Sequence, residues 1–90
     1  MPYMASNLKT SEGMAALKKI GKTIVELRKK KKDFKGRPWS QDEFADQVGV
    51  HRTFAGSIKR GETNLSFLNI LRIANALDVK PSELLKKAGY

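Results

Sequence analysis

In "VGVHRTFAGSIKRG", residues 48–61, the side chains able to do chemistry are His51, Arg52, Thr53, Ser57, Lys59 and Arg60. If the stretch forms a short helix with Val50, Ala55 and Ile58 turned inward, then His51, Arg52, Thr53, Gly56, Ser57 and Lys59 face outward, with Phe54 at the margin. The forked guanidinium of Arg52 can donate two bonds to guanine. Thr53 and Ser57 can hydrogen-bond a base or a phosphate, and the Thr53 methyl can meet a thymine methyl. Small residues at 55 and 56 let the backbone approach closely. Such a face suits DNA better than catalysis. The chain has no cysteine and one histidine; it also lacks a Gly-rich phosphate loop and a metal-ligand cluster, so no enzyme, metal site or cofactor is implied. The neighbouring carboxylates Asp42 and Glu43 are explained by a helix cap and the helix dipole.

Charge points the same way. The formal net charge is +9, from 18 Lys and Arg against 9 Asp and Glu, and "RKKKKDFKGR" at residues 28–37 holds seven of the basic residues and one acid. A polyanion fits that focus because neutralising phosphates releases condensed counterions. Lys30, Lys31 and Lys32 are therefore candidate phosphate contacts acting by diffuse attraction. The plain alternative is a solvated helix end.

The elements that must position these residues follow from period and punctuation. Ninety residues suit one domain with a modest core. Residues 1–14 mix Pro, Ser, Asn, Thr and Gly without lasting periodicity, which predicts a flexible arm ahead of a folded unit over 15–90. Leu17, Ile20, Ile24 and Leu27 mark one face of a helix over about 15–31, ended near Gly36 and Pro38. Ser40 and Glu43 form a capping box for a helix that Gly49 can stop. A second short helix starts just after Val50 and ends at Gly61. The next has Phe67, Leu71, Ala74 and Leu77 as its inner stripe with Ile70 beside it, capped by Ser66 or Asn64. Pro81 opens a last helix whose Leu84 and Leu85 close the core. The expected fold is all-α: a compact five-helix unit in which helices 2 and 3 are too short to stand alone. No apolar run approaches a membrane span, and "MPYMASNLKTSEG" has no signal-peptide core, so a cytoplasmic protein is expected.

Residues 40–85, "SQDEFADQVGVHRTFAGSIKRGETNLSFLNILRIANALDVKPSELL", resemble the phage-repressor-like helix-turn-helix family. The shared features are Ser-Gln at the start of helix 2, Gly-Val at the turn, Arg-Gly after the recognition helix, an Ala-Leu-x-Val segment and a terminal Glu-Leu-Leu. "HRTFAGSIKRGETNLSF" looks especially like the controller proteins of restriction-modification systems. The resemblance implies a double-stranded DNA partner and a transcription-regulating role, as repressor or activator. It places Arg52, Thr53 and Ser57 where bases are read, Gln41 on a phosphate at the start of helix 2, and Arg60 and Asn64 near the backbone. His51 is a cap or surface residue with a phosphate within reach. The resemblance also implies a homodimer through residues 68–90 on a palindromic operator, with half-sites about 34 Å apart.

Three departures stand out. Lys59 occupies a position where the family often pairs a Glu with the helix 1 arginine, here Arg28, so two positive charges must diverge. The link "KDFKGRP" is longer than the family's tight connection. Ala55 replaces a branched residue, leaving room for Phe54 or Trp39, and Trp39 is expected in the core. Phe34 either anchors the long link or lies exposed. RNA polymerase is a possible partner, as is a toxin if the chain is an antitoxin. A protein-interaction scaffold that binds no DNA is the third reading.

Overall fold

The computed structural model describes residues 10–90. Its first helix, α1 (Thr10–Lys30), buries Ile20, Ile24 and Leu27 with Leu17 half-buried beyond them, the face that the 3-4-3 spacing marks. It starts at Thr10 rather than near residue 15, so residues 10–14, expected in the arm, are helical. Glu12 lies in the first turn, where a carboxylate suits the positive end of the dipole. These residues are mostly exposed and give no apolar period by which to detect them. The rest of the expected arm, residues 1–9, lies outside the described residues.

α2 (Gln41–Val48) opens with the expected box: the Glu43 amide donates to Ser40 Oγ at 3.1 Å and the Ser40 amide to Glu43 Oε1 at 2.9 Å. Phe44, Ala45 and Val48 face inward, and Gly49 closes the helix in the left-handed region, its amide returning to the Ala45 carbonyl at 2.9 Å. α3 (Arg52–Arg60) follows within three residues, buries Ala55 and Ile58, and ends at Gly61. It lies hard against α1: a Cβ on Gly21 would collide with the Ile58 carbonyl oxygen and come within 2.9 Å of that of Lys59. That missing side chain lets two backbones touch.

α4 (Phe67–Ala76) is capped by Ser66, whose Oγ accepts from the Asn69 amide at 3.1 Å. Its inner stripe differs from the expected one. Ile73 and Ala74 are fully buried, with Leu77 behind them and Ile70 half-buried, whereas Phe67 and Leu71 point outward. "FLNILRIANAL" is apolar nearly all round, so its period allows more than one face, and packing against α2 and α5 selects the one carrying Ile73. α5 (Pro81–Lys87) buries Leu84 and leaves Leu85 at the core's margin. Ile24, Ile58, Ile73 and Leu84, one each from α1, α3, α4 and α5, are the largest fully buried side chains. Each contributes about 1.5–3 kcal/mol through removal from water.

The long link between α1 and α2 is a closed turn. The Asp33 amide donates to the Arg37 carbonyl at 2.8 Å, the Gly36 amide to the Asp33 carbonyl at 2.9 Å and the Trp39 amide to the Lys31 carbonyl at 3.0 Å; Lys32 and Pro38 face each other as an antiparallel bridge. Asp33 at the first turn position, with Gly36 at the fourth and at φ 78°, supplies the turn chemistry. Trp39 packs on the core as expected, as does Phe54, while Phe34 at the tip is 92 % exposed.

Candidate nucleic-acid interface

The outward surface of α3 begins with its cap. His51 Nδ1 accepts from the Thr53 amide at 3.0 Å, which leaves Nε2 as the N–H donor on an exposed ring. His51 is thus both a cap and an outward donor. Arg52 and Thr53 follow, both exposed, and the first turn carries no acid. Among the described residues no carboxylate pairs with Arg52. A cation at the positive end of a helix costs stability. The same end favours a bound anion.

Ser57 does not present the free hydroxyl expected of a base reader. It is half-buried, its Oγ donates to the Phe54 carbonyl at 2.8 Å, and it accepts from Thr63 Oγ1. Its hydroxyl ties the loop after α3 to the helix. Gly56, expected outward, is buried because two side chains lie over it: a Cβ there would stand 3.1 Å from Arg60 Nη1 and 3.3 Å from Gln41 Nε2. Gln41, the first residue of α2, is thereby brought onto α3 beside Arg60, whose Nε donates to Glu62 Oε1 at 2.7 Å. Asn64 is exposed in the loop that follows.

Arg28 and Lys59 line one gap of about 10 Å³ together with Ile24, Phe44, Ala55, Ile58 and Gln41. This is the room that the small Ala55 leaves. The two cations share its edges, and Arg28 Nε is buried there without a hydrogen-bond partner among the described residues. An unmatched buried donor costs about 1–3 kcal/mol.

The lysine run does not act as one unit. Lys30 and Lys32 are exposed, but Lys31 is half-buried: its Nζ lies 2.8 Å from Asp78 Oδ2 and 5.4 Å from the centre of the Trp39 ring. Lys31 pins the turn to the α4–α5 corner, so the ammonium expected among the diffuse phosphate contacts has Asp78 as a partner within the protein. Asp78, at φ 57°, has its carboxyl held below the usual range by that hydrogen bond and by the Lys31 charge.

Asp33 organises the turn. Its side chain is 6 % exposed; Oδ1 accepts from the amides of Lys35 and Arg37 at 2.8 and 2.9 Å, and Oδ2 from Arg37 Nε at 3.1 Å. The Arg37 amide holds its carboxyl below the ordinary 3.8; desolvation, next in size, opposes it, and the Lys35 amide and the Arg37 guanidinium add to the lowering. A depressed folded pKa gives stability that is present above the unfolded value and lost as pH falls through the folded one. Fluorescence of the single Trp39 is therefore expected to stay constant on acidification to about pH 4 and to change below it. In Asp33→Ala the altered signal should already be present at neutral pH. An identical acid transition in that variant would place its origin elsewhere.

Two helices joined by a glycine turn, the second exposing Arg52 and Thr53 and seated on α1, make this a helix-turn-helix unit. A family model described as "Helix-turn-helix" matches residues 35–84. Control protein C.MunI from Mycoplasma sp is 36 % identical over 66 residues, covering 73 % of this chain and 82 % of its own length. Control protein C.BamHI from Bacillus amyloliquefaciens is 35 % identical over 66 residues, or 73 % of this chain and 75 % of its own. The crystal structure of the restriction-modification controller protein C.AhdI from Aeromonas hydrophila superposes with a TM-score of 0.68 at 40 % identity, covering 81 % of this chain and 97 % of that one. The chain belongs to the helix-turn-helix family that includes these control proteins. That family is one of DNA-binding regulators, not of enzymes. Among the described residues no helix is long and apolar enough to cross a membrane.

Of the expected contacts, Arg52, Thr53, His51 and Asn64 are outward, Gln41 and Arg60 come together, and Ser57 and Lys31 are engaged within the protein. Sequence reasoning placed Gly56 outward as a small residue but missed its cover by Gln41 and Arg60, and it missed the turn at Asp33. The turn had a signal, the Asp33-x-x-Gly36 spacing. Gly56 had a fainter one, lying midway between Arg52 and Arg60 on a single helical stripe.

Proposed function

We propose that the chain is a sequence-specific transcription regulator of the control-protein type that binds double-stranded DNA in the cytoplasm. α3 lies in the major groove, Arg52 and Thr53 meet base edges, and His51, Gln41, Arg60, Asn64, Lys30 and Lys32 contact the backbone. The observation that carries this reading is the N-terminal turn of α3: a capped helix end with Arg52 exposed, unpaired among the described residues and without an acid beside it. Ser57 supports that face by holding the following loop.

The regulator acts as a homodimer. Phe67, Leu68 and Leu71 are 71, 56 and 37 % exposed on one side of α4, an apolar patch that a second copy would cover in the expected region. Two-fold symmetry then calls for a palindromic operator with half-sites about 34 Å apart.

The test is selection from a random double-stranded DNA library with the purified protein at about 0.15 M salt, where specific and non-specific binding separate. Enrichment of a palindrome is the expected result. Retained duplex without an enriched motif would reduce the reading to electrostatic binding. No retained duplex would reject it.

A further inference from the structure

Gly56 has no side chain, yet it is buried on the face of α3 that should be open to solvent. Gln41 from α2 and Arg60 from the last turn of α3 are what cover it. Their nitrogen atoms Nε2 and Nη1 stand 3.3 and 3.1 Å from where a Cβ would be, tighter than ordinary van der Waals contact. Arg60 is held in this pose from its other side, since Nε is bonded to Glu62 and both Nη groups are left to turn toward Gly56 and solvent. Two donors from different helices thus converge above one bare stretch of backbone.

We propose that Gly56 is a positioning residue for DNA binding, leaving out a Cβ so that the Gln41 carboxamide and the Arg60 guanidinium grip a single phosphate. This rests on the DNA-binding reading above. The carboxamide gives a neutral, directional bond and the guanidinium a charged one. Their convergence fixes the height at which α3 enters the groove, because the phosphate is tied to α2 and α3 at once. A side chain at 56 would hold the fold but push both long side chains apart, since the atoms it meets are ends of flexible groups.

The experiment measures affinity of the full chain for a selected duplex and for a random duplex across a salt series, in wild type, Gly56→Ala, Gln41→Ala, Arg60→Ala and the Gln41→Ala/Arg60→Ala double variant. Gly56→Ala is expected to melt at or above the wild-type temperature, because alanine is the better helix former. It should bind both duplexes about 3- to 10-fold more weakly, with a shallower salt slope, as loss of a phosphate contact requires. The double variant should lose less than the product of the two single losses, because both side chains serve one phosphate. Wild-type affinity and slope in Gly56→Ala would overturn the proposal. If Gly56→Ala unfolds, the exposed-residue cycle still decides, and purely multiplicative losses would overturn the shared clamp. Wild type that retains no DNA would overturn both the clamp and the function it rests on, whereas wild type that binds while the variants miss these outcomes overturns the clamp alone.

Discussion

Gly61→Ala is expected to lower folding stability by about 2–5 kcal/mol, the sum of left-handed backbone strain and forced overpacking. The strain arises because Gly61 ends α3 at φ 71°, a region where an L side chain crowds the following carbonyl. The overpacking arises because the new methyl would stand 2.6 Å from Lys18 Cγ and 2.8 Å from both Lys18 Cα and Lys18 N. A lysine Cγ can swing away, but the backbone of α1 cannot without carrying Ile20 and Ile24 out of the core. Gly49→Ala separates the two contributions. It sits at φ 86° with nothing within 4 Å of its Cβ position among the described residues, so strain of about 1–2 kcal/mol is what applies. Urea unfolding of both variants against wild type makes the comparison, and equal losses would show that the close approach to α1 contributes nothing. Binding should suffer as well in Gly61→Ala, since α3 is anchored to α1 at Gly21 and Gly61, and any shift there re-aims Arg52.

These glycines also show where sequence reasoning reached and where it stopped. Local devices were legible: the Ser40 and Glu43 box, Gly49 and Gly61 as stops, and Pro81 at the first turn of α5 all depend on atoms within four residues. Ile20, Ile24 and Leu27 were legible because the opposite face of α1 is polar. α4 was not, since Phe67, Leu71, Ile70 and Ile73 compete for the inside and only the packed neighbours decide. The site divides in the same way. That Arg52 and Thr53 point outward follows from their offset to Ala55 and Ile58. The diversion of Lys31 to Asp78, 47 residues away, and the seating of Gln41 over Gly56 are long-range encounters with no local trace. Ser57 was legible as outward-leaning but not as doubly occupied: its bond to the Phe54 carbonyl lies within one turn of α3, whereas the bond it accepts from Thr63 depends on an irregular loop.

Arg52→Ala is expected to weaken binding to the selected operator by about 1–3 kcal/mol while changing binding to random duplex much less. Arg52 is the first residue of α3, exposed, with the helix end already capped by His51, so truncating it removes no side-chain hydrogen bond or ion pair among the described residues. Stability should if anything rise, because a cation leaves the positive end of a helix and alanine replaces it. That opposition distinguishes a reading residue from a structural one: a structural arginine would lose stability and affinity together. It also distinguishes base contact from phosphate contact, since a lost phosphate contact weakens all sequences alike and flattens the salt slope. Titrations of both duplexes at one salt concentration, beside a thermal melt, give all three readouts. Equal losses on the two duplexes would move Arg52 to the backbone and leave Thr53 as the remaining outward reader of bases. A loss confined to the operator, with an unchanged or higher melting temperature, would mean that this helix start keeps an arginine at a cost to the fold because the guanidinium is needed at a base edge.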